Sequence, residues 1–349
     1  MEPLKKEPAG PDFRALPKSL LHEHLDGGLR PQTLLELCAI RGVPVPAKDA
    51  PALARWMHDN ANSGSLERYL QGFAVTVAAM ASEEACERVA FEAAEDAMAD
   101  GCVLAEFRMA PLLWEPHGLS GPAVVEATLA GLRRSRLRCG LIVCGMRTDN
   151  PADTTRSALI AATYQEQGVV GFDLAGAERY YPPGDHAEAM AIARNAGLSL
   201  TCHAGESDDG FRVLEAAELG ATRIGHGIQI THGATPEQTR EWIDRARELD
   251  LHFEVCPSSN VHTGAARSLE AHPIRRMVEA GLSVSCNTDN RLMSHVTLTE
   301  ELVALHRRVG FTMPQLQELV ATGVKRSFLP EAKKREALAE VERGWQGVA

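Results

Sequence analysis

Eight short apolar runs of strand length, separated by longer stretches with helical spacing, constrain this chain more than any other feature. They read SLLHEH from Ser19, CVLAEFRM from Cys102, GLIVCGM from Gly140 and VVGFDLA from Val169, then LSLTCHA from Leu198, ATRIGHG from Ala221, LHFEVCP from Leu251 and LSVSCNTD from Leu282. Helical spacing marks Ser82–Ala99, Pro122–Leu137, Asn150–Gln167 and Thr235–Leu249, and some of these segments open on Ser, Asp or Asn-Pro start signals. Alternating strands and helices imply a parallel sheet. Eight strands in 349 residues predict an α/β chain folded as a (β/α)8 barrel. A doubly wound open sheet is the runner-up. It would carry a Gly-rich phosphate turn after its first strand, and HLDGGLRP is not G-x-G-x-x-G. The stretch Arg30–Met80 has helical patterns without a strand and reads as an insertion after the first strand, and a helical tail runs from Leu298. Residues 1–11 are expected to be a disordered tail before one barrel domain spanning 12–349.

Charge excludes two partner classes. The balance of 36 basic against 47 acidic residues gives −11, which disfavours nucleic acid and anionic membrane. No apolar run approaches the roughly 18 residues of a membrane span, and MEPLKKEPAGPDF lacks the apolar centre of a secretory signal. Eight scattered cysteines without a C-x-x-C pair suit buried, reduced thiols without a chemical role, and hence the cytoplasm.

Chemistry concentrates at the strand ends. In SLLHEHLDGG, residues i and i+2 of a strand share a face, so His22 and His24 aim side by side and Glu23 turns the other way. Alone, such a pair equally suits a surface strand with two solvated histidines. A barrel, however, gathers the C-terminal strand ends at one mouth. It would bring His22 and His24 together with His203 and Glu206 of TCHAGES, His226 of RIGHGI and Asp289 of NTDN. Three imidazoles and one carboxylate (His22, His24, His203, Asp289) make a plausible Zn²⁺ set with a position left for a water that ionises near neutral pH. Glu206, just past His203, suits a proton shuttle whose carboxyl a dry pocket holds protonated. His226, flanked by Gly225 and Gly227, suits a base or an oxyanion stabiliser. No lysine occurs between Lys48 and Lys325, so the fourth strand cannot supply a carboxylated lysine to bridge two metals. One metal per chain is expected, with a bridging glutamate left open. The H-x-E with P-C-x-x-C pattern of cytidine-type deaminases is absent.

Taken in order, HEHLDG, FDLAGAE, CHAGE, RIGHGI, CPSSN and NTDN resemble the adenosine deaminase family of the amidohydrolase superfamily, from about Leu16 to beyond Asp289. The resemblance implies a (β/α)8 barrel with one catalytic zinc that converts a 6-aminopurine to a 6-oxopurine with release of ammonia. It also implies that His22, His24, His203 and Asp289 hold the zinc, with His24 also at the substrate. Glu206 would protonate purine N1, and His226 would orient or deprotonate the attacking water. Gly176 would meet N3 through its backbone N–H, and Asp26 would meet the ribose. Two departures bear on the substrate. Family members usually read NTDD, the second aspartate meeting N7, where this chain has Asn290 followed by Arg291. An acidic or polar residue commonly follows DLAG, where this chain has Ala177. Adenosine and 2′-deoxyadenosine are the expected substrates, since HLDG favours a nucleoside. Adenine, an N6-modified nucleotide and aminodeoxyfutalosine are the alternatives. A barrel that binds without turnover should have lost a ligand or the shuttle, and this chain keeps them all. Nothing in the sequence fixes the oligomeric state.

Overall fold

Each of the eight apolar runs forms a strand. The computed structural model describes residues 11–348 except 46, 66–68, 70 and 71, so residues 1–10 of the expected tail lie outside the described residues. The strands are β1 (Lys18–His24), β2 (Cys102–Met109), β3 (Arg138–Met146), β4 (Val169–Ala175), β5 (Ser199–Ala204), β6 (Arg223–His226), β7 (His252–Val255) and β8 (Ser283–Cys286). They pair in parallel in sequence order. A single parallel bridge, Glu23 to Asp289, brings the last strand's extension onto the first. The fold is therefore a (β/α)8 barrel.

Helix boundaries follow local chemistry. Ser82, Ser120, Asn150 and Thr235 each accept a hydrogen bond from a backbone N–H three residues on, capping helices Glu83–Ala99, Gly121–Arg134, Pro151–Thr163 and Pro236–Glu248. Two expected helices end early. The first stops at Arg134, where Ser135 turns extended, and the second at Thr163, ahead of a separate 3₁₀ turn Gln165–Gln167. The insertion holds helices Pro31–Arg41, Ala50–Ala61 and Phe73–Ala79 among the described residues. What reads in sequence as a tail includes the helix that covers the β8–β1 seam. Helix Met313–Arg326 lies on both strands, and its Val320 carbonyl accepts from Ser19 Oγ at 2.8 Å. Gly323 permits that approach, because a Cβ there would sit 2.4 Å from Ser19 Oγ. Among the described residues no helix is long and apolar enough to cross a membrane, and all eight cysteines are free.

The barrel interior below the mouth is ionic. Glu106 and Arg108 of β2, Asp173 of β4, Arg223 of β6 and Glu254 of β7 are all at most 1% exposed. Arg108 donates to Asp173 at 2.8 Å and to Glu254 at 2.5 Å, and Arg223 donates to Glu254 and, at 2.6 Å, to Glu106. Alternation along each strand, which turns Glu106 and Arg108 to one face, sends these charges inward. Buried charges persist only when partnered, and removing one partner of such a set typically costs about 3–5 kcal/mol. Arg223→Met should therefore lower unfolding stability by about 3 kcal/mol or more, read from urea unfolding midpoints. An unchanged midpoint would show that the layer does not hold the barrel together.

Candidate active site and metal centre

Closure of the barrel builds the centre of the site. Asp289 N donates to the His22 carbonyl at 2.9 Å, and His24 N donates to the Asp289 carbonyl at 2.7 Å. These bonds carry three polar side chains from opposite ends of the chain to one point. His22 Nε2 and His24 Nε2 stand 3.4 and 3.5 Å from Asp289 Oδ1, and His24 Nε2 stands 3.3 Å from His203 Nε2 of β5. One ligand atom from each of the four lies within 4.8 Å of the others. His22 is fully buried, so the reading as a solvated surface pair does not hold. Glu23 turns away as expected, accepting from Thr288 Oγ1 and from Arg291 Nε at 2.7 Å.

The donor chemistry fits a metal ion. His22 Nδ1 faces Glu254 at 2.9 Å and His203 Nδ1 faces Asp173 at 3.1 Å, which leaves each Nε2 lone pair toward the cluster. His22 Nε2 is buried with no hydrogen-bond partner, an orphan that a bound cation would satisfy. Burial lowers the pKa of His22 to about 4 and that of His24 well below its usual value, favouring the neutral state that binds metal. Asp289 is held ionised: although burial opposes it, the surrounding histidines hold its carboxyl well below the usual range. Ser259 Oγ donates to its Oδ2 at 2.6 Å and leaves Oδ1 to the cluster.

A cavity of about 360 Å³ opens above these residues, ample for a nucleoside. His24, Asp26, Gly176, His203, Glu206, His226, Asp289 and Asn290 all line it, with Tyr69, Phe73 and Val77 of the insertion forming an apolar wall. Burial raises the pKa of Glu206, partly opposed by His226, whose Nε2 lies 3.7 Å from its carboxyl. Thr263 Oγ1 donates to Glu206 at 3.1 Å. Asp26 is buried, one of its oxygens has no partner, and burial pushes its pKa to about 7. Gly176 has φ +97°, a backbone in which a side chain would be strained. Asn290 packs on Gly27, where a Cβ would lie 1.8 Å from the asparagine Oδ1. Arg291 does not line the cavity. It ties Glu23 and the Gly28 carbonyl on the far side of β1.

Sequence reasoning missed the residues that hold these groups. Asp173, Glu254 and Arg108 were visible only as charges inside apolar strands, a signal that they must be partnered. Glu178, the last residue of FDLAGAE, accepts from the backbone N–H of Glu206, Ser207 and Asp208 at 3.0, 2.8 and 2.9 Å. Just past β3, Arg147 donates to the carbonyls of Leu174 in β4 and His203 in β5. Asn260 of the helix Pro257–His262 donates to His226 Nδ1 at 3.0 Å. Glu178 and Asn260 close two of the quoted motifs, FDLAGAE and CPSSN, which gave them no role of their own, and no local pattern marked Arg147.

Known proteins agree with the architecture. The family described as "Adenosine deaminase" matches residues 17–344. The adenosine deaminase of Mycobacteroides abscessus is 41% identical over 330 residues, covering 90% of this chain and 91% of that protein. That of Mycobacterium marinum is 39% identical over 345 residues, covering 94% and 95%. Among solved structures, the adenine deaminase of Arthrobacter aurescens superposes with a TM-score of 0.85 at 26% identity, covering 94% of this chain and 99% of that one.

The carboxylates behind the histidines should govern metal affinity, since such partners typically contribute about 10–100-fold. Glu254→Gln is expected to weaken Zn²⁺ binding by about that factor in competition with a chromogenic chelator, and His203→Ala to abolish it. Wild-type affinity in Glu254→Gln would show that the carboxylate does not orient His22.

Proposed function

The chain belongs to the adenosine deaminase family, and from that premise we propose that it hydrolyses adenosine and 2′-deoxyadenosine to inosine, 2′-deoxyinosine and ammonia, as in purine salvage. It is a hydrolytic deaminase by family. The observation that carries the nucleoside reading is the grouping of Glu206, His226 and Asp26 around one cavity that is also lined by His24, His203 and Asp289 of the four-residue cluster. We infer one Zn²⁺ per chain at that cluster. When bound, the ion supplies Lewis acidity that makes a water nucleophilic near neutral pH.

The chain's own groups supply the rest. Glu206, whose carboxyl burial shifts toward the protonated form, delivers a proton to purine N1, which drains electrons from C6. Water adds at C6; of its two protons, one replaces the proton that Glu206 gave to N1, and the other converts the amino group into the departing ammonia. His226 faces the attacking oxygen, and Asp26 bonds a sugar hydroxyl. Gly176 lets backbone N–H approach N3, and the amide of Asn290 donates to N7 without needing to hold a proton. The insertion's apolar wall excludes bulk water from this chemistry. The eight free thiols suit a reducing compartment such as the cytoplasm.

A second reading, the same reaction on adenine, draws on the likeness to the Arthrobacter aurescens enzyme. An N6-modified nucleotide or aminodeoxyfutalosine would also satisfy the N1 and N7 contacts. Turnover decides among them. With Asp26 serving the ribose, kcat/KM for adenosine should exceed that for adenine and AMP by about tenfold or more, and adenine turned over equally well would select the second reading.

Elemental analysis should find about one zinc per chain, because one four-residue set is available. Glu206→Gln should keep that metal and lose roughly 10²-fold or more in kcat. Loss of zinc in this variant would make Glu206 a ligand instead. At Asn290, 7-deazaadenosine should lose about 1–3 kcal/mol in kcat/KM against adenosine on wild type, and Asn290→Leu should largely erase that difference. Equal turnover of the two by wild type would remove N7 recognition from Asn290.

A further inference from the structure

His226 sits at the end of a hydrogen-bond chain whose polarity is set by a backbone group. Ile274 N, which can only donate, lies 3.1 Å from His272 Nδ1. That nitrogen therefore carries a lone pair, and the ring holds its proton on Nε2. His272 Nε2 lies 3.2 Å from Asn260 Oδ1, so the ring donates and the amide oxygen accepts. The amide nitrogen is then the atom that faces His226 Nδ1 at 3.0 Å, and it donates. His226 Nδ1 is thereby left with its lone pair engaged. The remaining ring nitrogen, Nε2, carries the hydrogen and is the one directed to Glu206, at 3.7 Å.

The three side chains are buried: Asn260 is 0%, His226 1% and His272 4% exposed, so water does not compete along the chain. Reversing any one link would set two donors or two acceptors against each other in a dry space, a penalty of the kind buried polar groups avoid. A doubly protonated His226 would likewise aim an Nδ1–H at the asparagine NH₂.

We propose that His272 and Asn260 are positioning residues that fix His226 in its neutral Nε2–H form, so that His226 serves the reaction as a hydrogen-bond donor and not as the base. This rests on the reading above that His226 faces the attacking oxygen, and it decides between the two roles left open for it. A donor at that place orients the incoming water through one lone pair, leaving the other to attack C6, and stabilises the negative charge left on the oxygen as its proton departs. Its proton is neither gained nor lost in the attack.

The test is nuclear magnetic resonance of zinc-loaded protein carrying ¹⁵N-labelled histidine, with His226 assigned by comparison with His226→Gln. Two-bond ¹H–¹⁵N correlations distinguish the two neutral ring forms. Wild type should show His226 protonated on Nε2 and bare on Nδ1. In Asn260→Asp the carboxylate can only accept, so His226 should gain an Nδ1 proton, and kcat should fall by about tenfold or more with KM within about threefold and zinc retained. His272→Phe removes the bond that orients the amide and should give mixed ring forms at His226, which serves if Asn260→Asp does not fold. An Nδ1–H signal for wild-type His226 overturns the proposal, as does an unchanged His226 pattern in both variants. The ring form is read without turnover, so this failure is separate from failure of the placement of His226 at the attacking oxygen, which would appear as His226→Gln retaining full activity, and from failure of the deaminase reading, which would appear as no ammonia released from adenosine by wild type.

Discussion

Two backbone hydrogen bonds at Asp289 make the rest possible. A parallel eight-stranded sheet has two edges, and here the edges meet through Asp289 N to His22 O and His24 N to Asp289 O, at 2.9 and 2.7 Å. The same peptide groups carry His22, His24 and Asp289, so closing the barrel and assembling most of the cluster are one event. Free edges would leave these groups unpaired in the interior. Stability of the closed form and geometry of the site are therefore not separable at this seam. The helix Met313–Arg326 lies across the seam from outside and covers it.

Below the seam, the ionic layer supplies direction. Arg108 lies between Asp173 and Glu254, and these carboxylates in turn face His203 and His22. Burial pushes both carboxyls up, but Arg108, with Arg223, holds Glu254 well below the usual range, and His203, with Arg108, does the same for Asp173. Ionised, they accept the Nδ1 hydrogens and fix which nitrogen of each imidazole faces the cluster. Uncharged isosteres could fill the same volume but would leave the rings free to choose their tautomer.

Much of this was legible in sequence because strands bury both faces in such a barrel, so apolar runs stand out and polar residues at their ends are conspicuous. Predictions of which residues line the mouth needed only strand order. The arrangement of the ionic layer was not legible, since its pairs join residues 65 and 146 positions apart and depend on register between strands that no local pattern reports. His226 is a different case. Arg223 points into the barrel and Gly225 lies against His22 and His203, so alternation would turn His226 outward. Its φ of +62° breaks the alternation and re-aims the ring into the cavity. Arg291, which follows the Asn290 departure, was given no role in sequence, and its partner Glu23 faces away from the cavity.

That conformation carries a cost that must be met nearby. His226 and Asp289 both lie in the left-handed region, at φ +62° and +64°, which for residues other than glycine costs of order 1–3 kcal/mol each. Such strain persists only where the surroundings hold it. One short helix, Pro257–His262, reaches both: Ser259 bonds the Asp289 carboxylate and the adjacent Asn260 bonds His226. Glu301 in turn accepts from Ser258 N at the start of that helix. Asp289 at the cluster and His226 beside it are thus tied through consecutive residues of one rigid turn, so a shift of either would pull on the other. The strained backbone and the polarity of the Asn260 amide together leave the His226 ring one direction and one proton position.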